Sequence, residues 1–318
     1  MAFRRLFEQA LQNGIESLDA PPRELVDLFA EVDAVPYWVD PDLVRTGDLD
    51  TMAPRRLAKT ASWWVDVTTP GGLGRFEAGF RSTLRVRVMH AQVRAAIHER
   101  DDWDFDAWDA PINQIQLTGT LLLFSLVMLL GSRTLGLRFS AADRAAALHL
   151  WRYAGHLMGV HPDLLPATEA DAWRLLWLEA DTEFMPDQDS QRLARSLMNA
   201  AAPLLLPPRW KNSALARRAL TNYLLSYSRL ILGKRNADFL GAPDDKRYQA
   251  AVAAASAAVF VLETARRLVP GATRLSEHFG HHHRTTMVRR MIREQRGDLT
   301  HSRHDSLRRA APPAPDPR

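Results

Sequence analysis

One histidine lies in a segment whose apolar residues recur at helical spacing, a position that could support ligation of a cofactor. His90 belongs to residues 84–94, which read LRVRVMHAQVR. An imidazole on an apolar helix face can serve as an axial ligand to a large apolar cofactor. A lone histidine on such a face is more often a core residue with a hydrogen-bonded ring, and this segment alone leaves both interpretations open.

A basic cluster precedes this histidine. Arg56, Lys59 and Thr60 belong to the run RLAKT, and Lys59 stands 31 residues before His90. A buried ammonium beside a reacting centre would stabilise negative charge on oxygen. The alternative interpretation is the solvated start of an arginine-rich helix.

The two segments, in this order and at this spacing, resemble the haem-b oxygenases of the mpaB-like and latex-clearing (rubber oxygenase) family. Residues 111–113 (PIN), 118–120 (TGT) and 151–160 (WRYAGHLMGV) look similar to the family as well, so the resemblance extends over about residues 40–269. It implies a soluble, bacterial-type protein. Its single all-α domain would have globin-like core helices around one haem b.

The resemblance also implies roles for individual residues. His90 would be the proximal ligand of the haem iron. Lys59, Arg56 and Thr60 would lie on the distal side of the haem, and Thr120 matches a threonine near the cofactor. The implied function is dioxygen-dependent oxidation or cleavage of an apolar substrate such as an isoprenoid.

Two positions depart from the family pattern. Polyisoprene-cleaving members use an upstream glutamate as a base, whereas the nearest acid here is Asp40, which could equally be a turn residue before Pro41. A family histidine is replaced by Leu122. These departures leave a second hypothesis open: a helical haem-binding or ligand-sensing protein without turnover.

The composition narrows the classes of function. Cysteine is absent, which excludes disulfides, iron–sulfur clusters and thiolate-ligated haem. From Arg284 to the end there are nine arginines against four acidic residues, and the remainder, with 32 basic and 33 acidic residues, is nearly neutral. This distribution argues against nucleic acid as a partner, because nucleic-acid binders carry a basic footprint on the folded body.

The histidine-rich residues 277–283 (EHFGHHH) are a rival metal site. Clustered histidines can bind zinc or nickel. Adjacent histidines on a helix or turn point in different directions, however, and no paired acid stands at metal-ligand spacing. The pattern therefore favours the site around His90.

Helical periodicity dominates the chain, and no alternating strands separated by hairpin turns occur. Residues 75–99 show two adjacent apolar stripes, one of which contains His90. We expect an N-terminal helical extension at 1–35, a catalytic domain at 36–296 and a disordered, basic and proline-rich tail at 297–318.

The chain shows no secretory signal pattern and no apolar run long enough to cross a bilayer. The longest such run, Leu121–Leu130, has ten residues, whereas a span needs roughly 20. This run predicts a helix buried on all sides. We therefore expect a cytoplasmic protein without stable membrane insertion.

Overall fold

The computed structural model describes residues 49–98, 103–182 and 188–297. The regular secondary structure of these residues is helical, and no strand occurs among them. The predicted all-α fold is confirmed. The helices are α1 (Leu49–Thr68), α2 (Ala78–His98), α3 (Phe105–Trp108), α4 (Gln114–Leu122), α5 (Met128–Thr134), α6 (Ala141–Met158), α7 (Glu169–Thr182), α8 (Gln188–Leu205), α9 (Ala214–Phe239), α10 (Lys246–Leu268) and α11 (Ala272–Gly297). The proposed extension at 1–35 and residues 298–318 of the tail lie outside the described residues.

The ends of α6 show how local sequence sets the helix boundaries. The Ser140 hydroxyl accepts a hydrogen bond from the Asp143 backbone N–H at 3.1 Å, and the Asp143 carboxylate accepts one from the Ser140 N–H at 2.7 Å. This reciprocal capping satisfies backbone donors that the first helical turn leaves unpaired. At the other end Gly159 has φ of 87°, a left-handed conformation that glycine adopts without strain.

Helices α1 and α2 form an antiparallel pair joined by a short turn. A Cβ at Gly79 would lie 2.7 Å from the carbonyl oxygens of Asp66 and Gly72, so only glycine permits this close approach. Further along the pair, the Trp63 indole N–H donates to the Thr83 hydroxyl at 3.0 Å. Because Trp63 and Thr83 are paired in this way, the register of α1 against α2 is fixed.

A core cluster lies where α1, α4 and α6 meet. Val67, Leu121, Trp151 and Ala154 are buried there, and Trp63 and Phe124 pack against them. Helix α2 packs along α6, and the other side of α1 packs on α8 and α11. The fold thus places the face of α2 that carries His90 next to an aromatic core.

The apolar stretch at 121–130 belongs to a longer continuous helix, Gln114–Thr134, with a π-helical segment at Leu123–Val127. The prediction that it is buried on all sides is wrong, because Leu123 is 56% and Met128 44% exposed. By length and composition, Gln114–Thr134 and Lys246–Leu268 could each cross a membrane. The core helices of soluble proteins share this character, and 56% of the most apolar part of Gln114–Thr134 is buried.

Candidate functional site

The face of α2 that contains His90 is directed at the junction of α4 and α6. Arg87, one turn before His90, donates to the Leu157 carbonyl oxygen at 3.4 Å, and its guanidinium packs against Gly159. Arg94, one turn after His90, donates to the Ile112 carbonyl oxygen at 2.7 Å. Residues three and four apart share a helix face, so His90 lies between these two anchors.

His90 is a half-buried histidine with an unused ring nitrogen. Its Nδ1 is inaccessible to solvent and has no hydrogen-bond partner. Burial lowers the pKa of His90 to about 4, because the charged imidazolium loses its solvation, and the Arg94 guanidinium lowers it further. At neutral pH the ring is therefore uncharged and keeps an unpaired polar atom, which is the state that a metal ligand requires.

We expect acid to destabilise the cofactor-free protein through this residue. Between pH 6.5 and about pH 4 the unfolded chain binds a proton that the folded chain excludes, so the free energy of unfolding falls as the pH falls. The expected loss over the whole interval is about 3 kcal/mol, and above pH 6.5 His90 contributes none. Denaturant titrations of wild type and His90→Gln across this range measure the difference.

The exposed His149 of α6 supplies the matched control. His149→Gln should keep the wild-type pH dependence, whereas His90→Gln should flatten it. Parallel pH profiles for wild type and His90→Gln would show that the His90 imidazole is solvated in the folded protein.

A narrow apolar cleft lies between α1, α4 and α6, with about 20 Å³ of free space. Its lining residues are Trp63, Leu117, Thr120, Leu121, Phe124, Trp151, Ala154, Gly155, Met158 and Val160. Met158 and Val160 flank Gly159, the residue that contacts Arg87, so the cleft adjoins the face of α2 that carries His90. His90 therefore lies on the helix face next to this cleft, and the residues that line the cleft come from elements other than α2.

Three aromatic rings form the inner wall of this cleft. Phe124 and Trp151 stack at 5.2 Å between ring centroids, with an interplanar angle of 20°. Trp63 meets Phe124 edge-on at 5.3 Å and lies 5.6 Å from Trp151. Because the free space between these rings is only about 20 Å³, room for about one water molecule, a macrocyclic ligand would have to displace some of them.

The residues proposed for the distal side lie along α1. Lys59 is half-buried one turn before Trp63, and Arg56 is exposed a further turn away, so the helix places both on the same side as the cleft residue Trp63. Thr60 is exposed. The structure therefore places Lys59 one turn of α1 before the cleft residue Trp63 and leaves Arg56 and Thr60 at the surface.

The remaining two proposed site residues are Thr120 and Asp40, and the structure describes only the first. Thr120 lines the cleft, and its hydroxyl donates to the Gln116 carbonyl oxygen at 2.9 Å. Asp40 lies outside the described residues, so its role as an acid stays a prediction.

Sequence reasoning missed several residues that build the site. Trp63 and Trp151 form the cleft wall, and Gln114 joins α4 to the end of α6 by donating to the Gly159 carbonyl at 3.0 Å and accepting from the His161 N–H at 2.9 Å. For Trp63 the sequence did offer a signal, because it follows Lys59 by four residues, which is about one helical turn. A Cβ at Gly155 would lie 2.8 Å from Leu165, so glycine allows close packing at this point of α6.

The histidine-rich segment at 277–283 is exposed on α11. Within the part of the chain that the structure describes, no group of three or more histidine, aspartate or glutamate side chains is arranged to hold a metal ion. A single imidazole such as His90 can still be an axial ligand, because a haem supplies the other donors of its iron.

Residues 40–263 match the model of the family described as ER-bound oxygenase mpaB/B'/Rubber oxygenase, catalytic domain. The chain belongs to this family. The segment from Lys59 to Val160, which contains the described part of the site, lies wholly within the matched region. The family predicted from the sequence is thereby confirmed.

Two relatives of the mpaB/rubber-oxygenase family show how far the likeness extends. A rubber oxygenase from Streptomyces sp. (strain K30) is 26% identical over 115 residues, which are 36% of this chain and 28% of the relative. The match therefore spans less than a third of the relative's length. The structure of a latex clearing protein in its closed state has 18% identity and a TM-score of 0.53, over 86% of this chain and 80% of the other. The second likeness is one of fold.

Proposed function

We propose that this member of the mpaB/rubber-oxygenase family is a haem-b-dependent oxygenase that oxidises or cleaves an apolar substrate with dioxygen. The observation that carries the proposal is His90, whose neutral imidazole has a buried, unpaired nitrogen beside an aromatic cleft. The donor type fits haem b, since an imidazole can ligate haem iron only in its uncharged form. A buried histidine serving only the core would normally have a hydrogen-bond partner.

The chain's own residues would orient the cofactor and keep the site dry. A bound haem supplies the activation of dioxygen. His90 would hold the cofactor through its imidazole, and the Arg87 and Arg94 contacts fix the helix face from which it projects. Lys59 carries a positive charge one turn of α1 before the cleft residue Trp63, and it would stabilise negative charge that develops on oxygen during oxidation.

The walls of the cleft favour an apolar, unsaturated substrate. Trp63, Phe124 and Trp151 offer aromatic faces and edges to a hydrocarbon chain, and Leu117, Leu121 and Val160 add aliphatic contacts. The relative from Streptomyces is named for rubber, a polyisoprene. We therefore propose an isoprenoid as the substrate class.

Oxygen consumption by the haem-loaded protein tests the proposal. Purified protein is mixed with a polyisoprene emulsion, a short terpenoid or a saturated alkane of similar length. Uptake with an isoprenoid and carbonyl or hydroxyl products in mass spectra are the expected results. Stoichiometric haem without uptake on any of these substrates would contradict the oxygenase and favour the ligand-sensing alternative.

One observation supports keeping that alternative in the test. Leu122, where the family has a histidine, is fully buried in a separate apolar cluster with Leu126, Leu148 and Ala172. That position therefore supplies no polar group to the cleft.

We expect Lys59→Ala to lower oxygen consumption by roughly 100-fold while the haem content stays unchanged, because one preorganised charge on developing oxyanion character is worth about that factor. Lys234→Ala, which removes an exposed lysine of α9, is the matched control and should act as wild type. Oxygen-electrode rates normalised to haem content measure both. Equal rates for the two variants would remove Lys59 from the reaction.

A further inference from the structure

Helix α10 presents a long apolar face to solvent. Every exposed residue of α10 between Ala250 and Ala265 is alanine, valine, leucine or phenylalanine. At 1.5 Å per residue this face is about 24 Å long. Phe260 is 50% exposed, Val261 65% and Leu262 68%. Monomeric soluble proteins rarely expose contiguous apolar surface of this extent, so a partner must cover it.

The face is held in place by polar contacts at its end. Arg267 donates to the Arg138 carbonyl oxygen at 2.7 Å, and the Arg138 guanidinium lies over the Phe260 ring at 5.0 Å. Arg266 pairs with Glu263 and also donates to the Thr273 hydroxyl at 2.9 Å, across the turn into α11. The apolar face is therefore a preformed surface rather than a frayed helix.

Basic residues stand at both ends of the face, Lys246 and Arg247 at its start and Arg266 and Arg267 at its end, whereas Arg284 and Arg290 of α11 bond to Thr68 and Leu204. Residues 246–297, which comprise α10, the turn and α11, carry ten lysines and arginines against three glutamates, a net charge of +7. The whole chain has a net charge of +4. The rest of the chain therefore has a net charge of −3.

The acidic charge is concentrated at the start of the chain. Residues 1–48, which precede the described structure, carry ten acidic residues against four basic ones, a net charge of −6. Within them, 6–18 and 23–32 have apolar residues at helical spacing, such as Phe7, Leu11 and Leu18 in the first and Leu25, Leu28 and Val32 in the second. This segment thus has both properties that complement the α10 face: opposite charge and an apolar stripe.

We propose that residues 1–48 dock on the exposed face of α10 through the apolar stripes of their two predicted helices. The segment is tethered to α1, so its docking is intramolecular and has a high effective concentration. A second copy of the chain is a poorer partner, because a two-fold interface would bring two +7 regions together. An anionic lipid surface would have to compete with the chain's own acidic segment for the same face.

The absence of cysteine gives a direct test on the full-length chain. Ala257→Cys places one thiol in the middle of the α10 face, and Leu215→Cys places one at a 79% exposed position on α9. If the segment covers α10, maleimide labelling at 257 should be slower than at 215 by roughly tenfold. Adding Leu11→Asp and Leu28→Asp, which disrupt both apolar stripes, should restore fast labelling at 257 and leave 215 unchanged.

Three results would overturn the proposal. Equal labelling rates at 257 and 215 would show an open face. Slow labelling at 257 that depends on protein concentration would assign the face to a second copy. Slow labelling that persists with the two aspartates present would show that something other than residues 1–48 covers the face. Because the readout is thiol labelling, the outcome is independent of haem binding and of oxygenase activity.

Discussion

Replacing His90 by alanine should leave the helices folded and abolish stoichiometric haem. The reason is that His90 supplies the only half-buried imidazole on the described face of α2, and Met89 points about 100° away from it. Loss of an iron ligand should weaken haem binding by at least ~10-fold. Absorption spectra and haem content of the purified variant measure the effect, with far-ultraviolet circular dichroism as the test of folding.

Two comparisons make this result specific. His149→Ala removes an exposed histidine of α6 and should keep full haem content. Free imidazole added to His90→Ala should enter the vacated space and restore part of the haem spectrum. Full haem content and an unchanged Soret band in His90→Ala would show that another residue ligates the iron.

The second large effect is expected at the aromatic wall. Trp151 is 4% exposed, stacks on Phe124 and contacts Trp63. Trp151→Ala removes this packing and leaves a cavity that the surrounding helices cannot fill, so we expect the free energy of unfolding to fall by about 3–5 kcal/mol. Denaturant unfolding of the cofactor-free protein measures the loss.

An exposed tryptophan elsewhere in the chain is the control that shows whether the loss of stability comes from lost packing or from removing any tryptophan. Trp177 on α7 is 72% exposed, and Trp177→Ala should change stability by no more than about 0.5 kcal/mol. Similar losses for both variants would mean that the cluster of Trp63, Phe124 and Trp151 is not a packed core.

Periodicity predicted α2 well but could not say which stripe faces the core. Two apolar stripes run along this helix, and the one with Thr83, Val93 and Ile97 is buried, whereas Ala91 and Ala95 of the other are exposed. Both stripes are comparably apolar in sequence. The choice is made by α6, whose approach to α2 depends on contacts between residues about 70 positions apart, such as Arg87 with Leu157.

Helix α11 is an element that its sequence pattern does not reveal. Ala272–Gly297 is one helix of 26 residues. Its first half is exposed, and its histidines and arginines hide the apolar spacing that marks an amphipathic helix. Packing against α1 holds its second half, where Arg284 donates to the Thr68 hydroxyl at 2.8 Å.

In the candidate site, too, some features could be predicted from the sequence and others could not. His90, Lys59 and Thr120 could be found from short motifs. The structure places Thr120 in the cleft wall, Lys59 one turn of α1 before the cleft residue Trp63, and His90 on the neighbouring face of α2. The cleft itself could not be predicted, because Trp63, Phe124 and Trp151 come from three separate helices and read as ordinary core residues.

The most direct measurement is an absorption titration of the cofactor-free, full-length protein with haemin, followed at the same time by tryptophan fluorescence. A haem site at His90 predicts a Soret band that saturates at one haem per chain. It also predicts quenching of tryptophan fluorescence, because a haem held by His90 would lie next to the cleft that Trp63 and Trp151 line. A spectrum that stays equal to that of free haemin, with unquenched tryptophan fluorescence, would contradict a haem site at His90.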